Sequence, residues 1–176
     1  MSKLQEAIDF ATKAHGKQKR KYTGEPYISH PIAVMEMVKE VPHTPEMLIA
    51  AVLHDTVEDT DVTLKDIKDR FGTKVAELVD GLTDVSRPED GNRATRKALD
   101  RVHLSKQGPE VQTIKLADLI HNTTSIEFFD PHFYKVYKEE KIRILELLKD
   151  GDKTLMHRAQ QQVCLLYTSP SPRDRG

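Results

Sequence analysis

Apolar residues recur at the i, i+3, i+4, i+7 spacing of a helix face along nearly the whole chain, which leaves little room for anything but helices. Leu4, Ala7, Ile8 and Ala11 open the series, and Val34, Val38 and Val41 continue it. Leu48, Ala51 and Val52 follow, then Leu64, Ile67 and Phe71. Val75, Leu78, Val79 and Leu82 make the next stripe, and Ile144, Leu147 and Leu148 a late one. No segment alternates apolar and polar residues long enough for a half-buried strand. Each stripe must bury itself against another. The spacing therefore predicts an all-α chain, a single compact bundle of about eight or nine short helices.

Boundary signals agree. Thr44-Pro45 and Asp130-Pro131 each set a capping side chain before a proline in the first helical turn. Gly108-Pro109 and Gly151-Asp152 each close one helix and open another. The longest irregular stretches are 17–28 and 86–92, and neither linker nor repeat divides the chain. One domain is expected over residues 1–162, followed by an irregular tail over 163–176, where Pro170 and Pro172 forbid a helix. That tail, Cys-Leu-Leu-Tyr-Thr-Ser-Pro-Ser-Pro-Arg-Asp-Arg, resembles translated adapter sequence, which predicts that it is not native.

Composition excludes several classes. A net charge of -1 provides no global field to draw the chain to nucleic acid or to anionic lipid. The single cysteine, Cys164, rules out a disulfide framework and fits a reducing compartment. The first residues, Met-Ser-Lys-Leu-Gln-Glu, do not form a signal peptide, and no apolar run nears the roughly 20 residues of a membrane helix. A cytoplasmic protein is expected, with neither nucleic acid nor membrane as partner. The oligomeric state is not legible.

The chemistry begins where polar residues break into apolar stripes. His54, Asp55, Glu58 and Asp59 arrive directly after an apolar run. His54 and Glu58 are four apart, as are Asp55 and Asp59, so each pair is expected to share a helix face. Asp55 continues the stripe of Leu48, Ala51 and Val52, and Asp118 lies on that of Val111 and Ile114. A carboxylate on a core face is costly unless a cation or a donor meets it. His30 opens the second helix, with Pro31 in its first turn. Two imidazoles and two carboxylates suit Mn²⁺, Fe²⁺ or Zn²⁺ better than Ca²⁺. Four ligands on a six-coordinate ion leave room for one water and one phosphate oxygen, as phosphoester hydrolysis requires.

The ordered set His30, His54-Asp55 and Asp118 resembles the HD-domain superfamily of metal-dependent phosphohydrolases. Neighbouring strings are more specific: 17–21, Gly24-Glu25-Pro26-Tyr27-Ile28 with His30-Pro31, Leu53-His54-Asp55 through Glu58-Asp59-Thr60, Phe71-Gly72, and Lys115-Leu116-Ala117-Asp118 with His121-Asn122. Over roughly Leu4 to Ala159 they look like the hydrolase domain of the RelA/SpoT proteins and its stand-alone small alarmone hydrolases. That resemblance implies removal of the 3′-pyrophosphate from (p)ppGpp by metal-activated water, with Mn²⁺ as cofactor and other divalent transition metals as alternatives. It implies a hydrolase without the synthetase domain of the long members. It makes His30, His54, Asp55 and Asp118 the metal ligands, and Glu58 with Asp59 the pair that activates water. Arg20 and Lys21 would meet the guanine base and phosphate, with Asn122 and Ser125 as further nucleotide contacts.

Two departures stand out. Tyr22 is extra relative to the shortest family form. After Asp118, Leu119-Ile120-His121-Asn122-Thr123-Thr124-Ser125 replaces Arg-Leu-His-Asn-Met-Arg-Thr, so two positive charges near the nucleotide are lost. Arg93, Arg96, Lys97 and Arg101 offer positive charge that could stand in for it, against the commoner reading of a solvated helix face. Two alternatives stay open: the same metal site acting on another phosphorylated nucleotide, and a nucleotide sensor without turnover.

Overall fold

The computed structural model describes residues 2–168, with side chains through Cys164. The chain forms α1 (Lys3–His15), α2 (Ser29–Lys39), α3 (Pro45–Leu53), α4 (Thr56–Asp59) and α5 (Leu64–Phe71). After these come α6 (Thr73–Leu82), α7 (Arg93–Ser105), α8 (Pro109–Phe129), α9 (Pro131–Leu145) and α10 (Lys153–Thr168). Apart from α4, a single turn, these are nine helices among the described residues, and the all-α expectation holds. None is long and apolar enough to cross a membrane.

The expected starts are present with their caps. Thr44 Oγ1 accepts from the Met47 amide at 3.3 Å, and Asp130 Oδ1 from the Phe133 amide at 3.1 Å. Gly108 stands before Pro109 at the head of α8. The final helix departs from expectation: α10 continues past Val163 to Thr168, so an irregular tail does not begin at 163. Val163 is buried on that helix. Residues 169–176, with both tail prolines, lie outside the described residues.

Two helices organise the core. α3 is buried on every side from Met47 to Leu53, as expected of a helix apolar all round, and packs against α1, α2, α6 and α8. α8 contacts α2, α3, α6, α9 and α10. The end of α3, the start of α2 and the middle of α8 meet in the interior, and each brings polar side chains to that point. Leu147 alone leaves its predicted stripe, at 36% exposure, because α9 has already ended at Leu145.

Candidate metal centre

The helix carrying the first ligands stops for a local reason. In a continuing helix, the Ala51 and Leu53 carbonyls would accept from amides four residues on. Here the Ala51 carbonyl accepts from His54 Nδ1 at 2.6 Å, and that of Leu53 from Thr56 Oγ1 at 2.8 Å. Asp55 (φ −98, ψ −4) forms the break before α4. This corrects the expected single face through His54–Glu58 and Asp55–Asp59, because side chains have taken the carbonyls that would extend it.

Four predicted residues converge. His30, at the start of α2, is 1% exposed and has its Nε2 2.8 Å from Asp118 Oδ1. His54 Nε2 lies 3.3 Å from the same oxygen and 3.2 Å from Asp55 Oδ2. His30 Nε2 lies 3.8 Å from that Asp55 oxygen. The donor set fits a cation. Because the Ala51 carbonyl can only accept, His54 keeps a proton on Nδ1, and its Nε2 faces two carboxylates. Burial opposes a charge on His54, but Asp55 and Asp118 outweigh it and push the imidazole up to about 9. The same two carboxylates would also attract a metal ion at that point. His30, His54 and Asp55 offer ligand atoms within 4.8 Å of one another.

Asp118 is the most heavily met group. Besides the imidazoles, Lys115 Nζ donates to its Oδ2 at 3.0 Å and Asn122 Nδ2 to its Oδ1 at 3.2 Å. Burial opposes ionisation, yet Lys115 and the two imidazoles hold its carboxyl well below the usual range.

Tyr27 and His121, which the sequence strings contain without a role, join the centre. The Tyr27 hydroxyl donates to Asp55 Oδ2 at 2.5 Å. His121 stacks on His30 with ring centroids 5.0 Å apart, its Nδ1 2.7 Å from His30 Nδ1. Burial, then His30 and Arg20, push His121 down to about 4, so it is neutral and can accept from His30. Asp84 had no signal at all: its backbone N–H donates to Glu58 Oε2, linking residues 26 apart.

Glu58 and Asp59 stand at the solvent side of the cluster. Desolvation of its carboxyl, then the charge of Asp84, pushes Glu58 up to about 7. Desolvation and Asp55 raise Asp59 as well.

The predicted nucleotide residues gather beside the cluster. Arg20, Lys21, Tyr22 and Thr23 form one wall of a slot of about 140 Å³, and Asn122, Ser125 and Ile126 the other. Arg20 Nη2 donates to Asn122 Oδ1 at 3.3 Å. The basic residues of α7 do not join this slot. Arg93, Lys97 and Arg101 line a separate cavity of about 490 Å³ against α9, and Arg93 is paired with Glu140 at 2.7 Å. Leu119 and Ile120 are 3% and 4% exposed, so the first of the two altered positions packs into the core rather than lining the slot.

A family profile described as "HD domain" matches residues 7–148. The guanosine-3′,5′-bis(diphosphate) 3′-pyrophosphohydrolase of Aquifex aeolicus is 38% identical over 141 residues, covering 80% of this chain and 20% of that protein. This chain thus spans about a fifth of the length of that long relative. The Homo sapiens guanosine-3′,5′-bis(diphosphate) 3′-pyrophosphohydrolase MESH1 is 34% identical over 162 residues, covering 88% of this chain and 89% of that protein. A solved structure described as a metazoan ortholog of SpoT that hydrolyses ppGpp superposes with a TM-score of 0.84 at 26% identity, covering 94% of this chain and 96% of the other. With the profile spanning most of the chain and a relative 34% identical along nearly its whole length, the chain belongs to the HD-domain family.

Proposed function

We propose that this chain hydrolyses the 3′-pyrophosphate of guanosine 3′,5′-bis(diphosphate), using a divalent transition metal, Mn²⁺ first, held by His30, His54, Asp55 and Asp118. The observation that carries this is the approach of both Nε2 atoms to Asp118 Oδ1, with Asp55 Oδ2 within 3.8 Å. The names of the relatives support the substrate. When bound, the ion acidifies water and offsets negative charge on the phosphoryl group.

The protein's own groups do the rest. Glu58, poised near 7, takes a proton from the attacking water, and Asp59 orients that water by accepting its second hydrogen. The water oxygen bonds to phosphorus, the bond from phosphorus to the 3′-oxygen breaks, and the freed oxygen takes a proton from solvent. Pyrophosphate and the 3′-hydroxyl nucleotide leave. Arg20 offers a planar cation to the base, Lys21 a charge to phosphate, and Asn122 and Ser125 hydrogen bonds. The reaction belongs to the cytoplasm.

Thr124, exposed where the RelA/SpoT run carries arginine, favours a second reading, another phosphorylated nucleotide at the same centre. The test is pyrophosphate release from ppGpp by Mn²⁺-loaded protein, beside a panel of other nucleotides. Release from ppGpp is expected; turnover of another nucleotide alone selects the second reading. Glu58→Gln should lower turnover about 10²–10⁴-fold with metal content unchanged. Equal loss of turnover and metal removes its role as base, and binding without turnover in the unaltered chain leaves a sensor.

A further inference from the structure

The segment between α1 and α2 is a small hairpin rather than a slack loop. The Arg20 amide donates to the Glu25 carbonyl at 2.8 Å, the Gly24 amide to the Arg20 carbonyl at 3.1 Å, and the Tyr27 amide to the Gln18 carbonyl at 2.9 Å. Gly24 has φ +74, a left-handed conformation that favours glycine. The base of the hairpin is anchored by the backbone, and its tip carries Lys21, Tyr22 and Thr23 over the solvent side of α8.

That tip is fastened by one residue. The Tyr22 hydroxyl donates to Asp130 Oδ2 at 3.0 Å, across 108 residues of chain. Its ring lies parallel to that of Phe129, with centroids 6.0 Å apart and planes 3° apart, and Lys21 Nζ sits 5.2 Å above the same ring. Asp130 is itself immobilised, because its other oxygen caps α9. The slot between the hairpin and α8 therefore has a clasp at each end. Arg20 to Asn122 closes the end near the metal cluster, and Tyr22 to Asp130 the far end. At about 140 Å³, the slot is close in size to the roughly 150 Å³ cavity that holds one benzene ring. A space so small suits one planar ring system and is sensitive to its own width.

We infer that Tyr22 is a positioning residue: by clasping the hairpin tip to Phe129 and Asp130 it fixes the slot before a nucleotide base enters. Preorganisation of this kind acts on affinity, because the ordering cost is met before binding. The inference rests on the nucleotide reading above but assigns nothing to the metal. It also gives a role to the tyrosine that sets this loop apart from the shortest forms of the family.

Tyr22→Phe, which removes only the hydroxyl, and Tyr22→Ala, which removes the stack as well, test it in the full chain. Each is assayed for steady-state ppGpp hydrolysis with Mn²⁺, for ppGpp binding by calorimetry, and for Tm. Tyr22→Phe should raise KM and Kd about two- to tenfold, with the loss in KM rather than kcat and no change in Tm. Tyr22→Ala should raise both further. Unchanged KM and Kd in Tyr22→Ala overturn the clasp, and so does a joint fall of kcat and Tm, the mark of a merely structural role. If the unaltered chain binds ppGpp without cleaving it, the proposed activity fails while the Kd shifts still decide the clasp. A chain that neither binds nor cleaves ppGpp overturns both.

Discussion

Asp118 on α8 and Lys141 on the adjoining α9 are both buried ionisable side chains, and they are treated in opposite ways. Asp118 meets Lys115, two imidazoles and Asn122. Lys141, 0% exposed on α9, donates its hydrogen bonds among the described residues to neutral oxygens: Thr123 Oγ1 at 2.8 Å and Gln162 Oε1 at 2.6 Å. The first group is held ionised, well below its ordinary range. Burial pushes the second down to about 7, and Glu127 only partly resists. A buried charge persists where opposite charges converge; where they do not, the interior favours its neutral form. The cluster around Asp118 is therefore built to hold a cation, and the one around Lys141 to join α8, α9 and α10.

The largest break in this contrast is Asp118→Ala. It leaves the buried His30 and His54 and the half-buried Lys115 without their shared acceptor, and losing one partner of such a cluster costs about 3–5 kcal/mol. Metal content should vanish in elemental analysis and the denaturation midpoint should fall. A variant that keeps both refutes the centre. A milder test uses pH. Lys141 titrates at about 7 when folded and near 10.5 when unfolded, so between these values the unfolded chain holds more protons. The Lys141 contribution to stability should rise with pH through that window, by at most ~4 kcal/mol, while His54, pushed up from 6.5 to about 9, contributes with the opposite sign. In urea titrations at about pH 7 and 9.5, the stability of the unaltered chain relative to Lys141→Met should rise with pH. An unchanged slope shows that Lys141 is not the source.

The same sequence test finds one of these residues and misses the other. Asp118 stands four residues after Ile114 in a run otherwise apolar, so its polarity is conspicuous. Lys141 stands seven after Tyr134 and four before Leu145, both buried, which is an equally regular stripe. Its neighbours Lys138, Glu139 and Glu140 disguise it as part of a solvated charge run. The helices and their proline-marked starts were legible because period and caps are local. The break at His54-Asp55 was not, since it depends on which side chain reaches a carbonyl first. Nor was the Glu58–Asp84 bond, which joins segments that only the tertiary fold brings together.

The finest probe of the contrast is Thr123→Val, nearly the same shape without the hydroxyl. Thr123 Oγ1 donates to the Leu119 carbonyl at 2.6 Å while accepting from Lys141. Valine can do neither, so Lys141 keeps only Gln162, at a cost of about 1–3 kcal/mol. With one oxygen fewer near the ammonium, its charged form becomes harder still to hold. The lower edge of the pH window should therefore move below about 7, and the variant should lose more stability at pH 6 than at about pH 10. Metal content should not change, because the Asp118 cluster keeps every one of its donors. If the loss is equal at all pH values, the hydroxyl serves the Leu119 carbonyl alone, and the Lys141 ammonium draws no support from it.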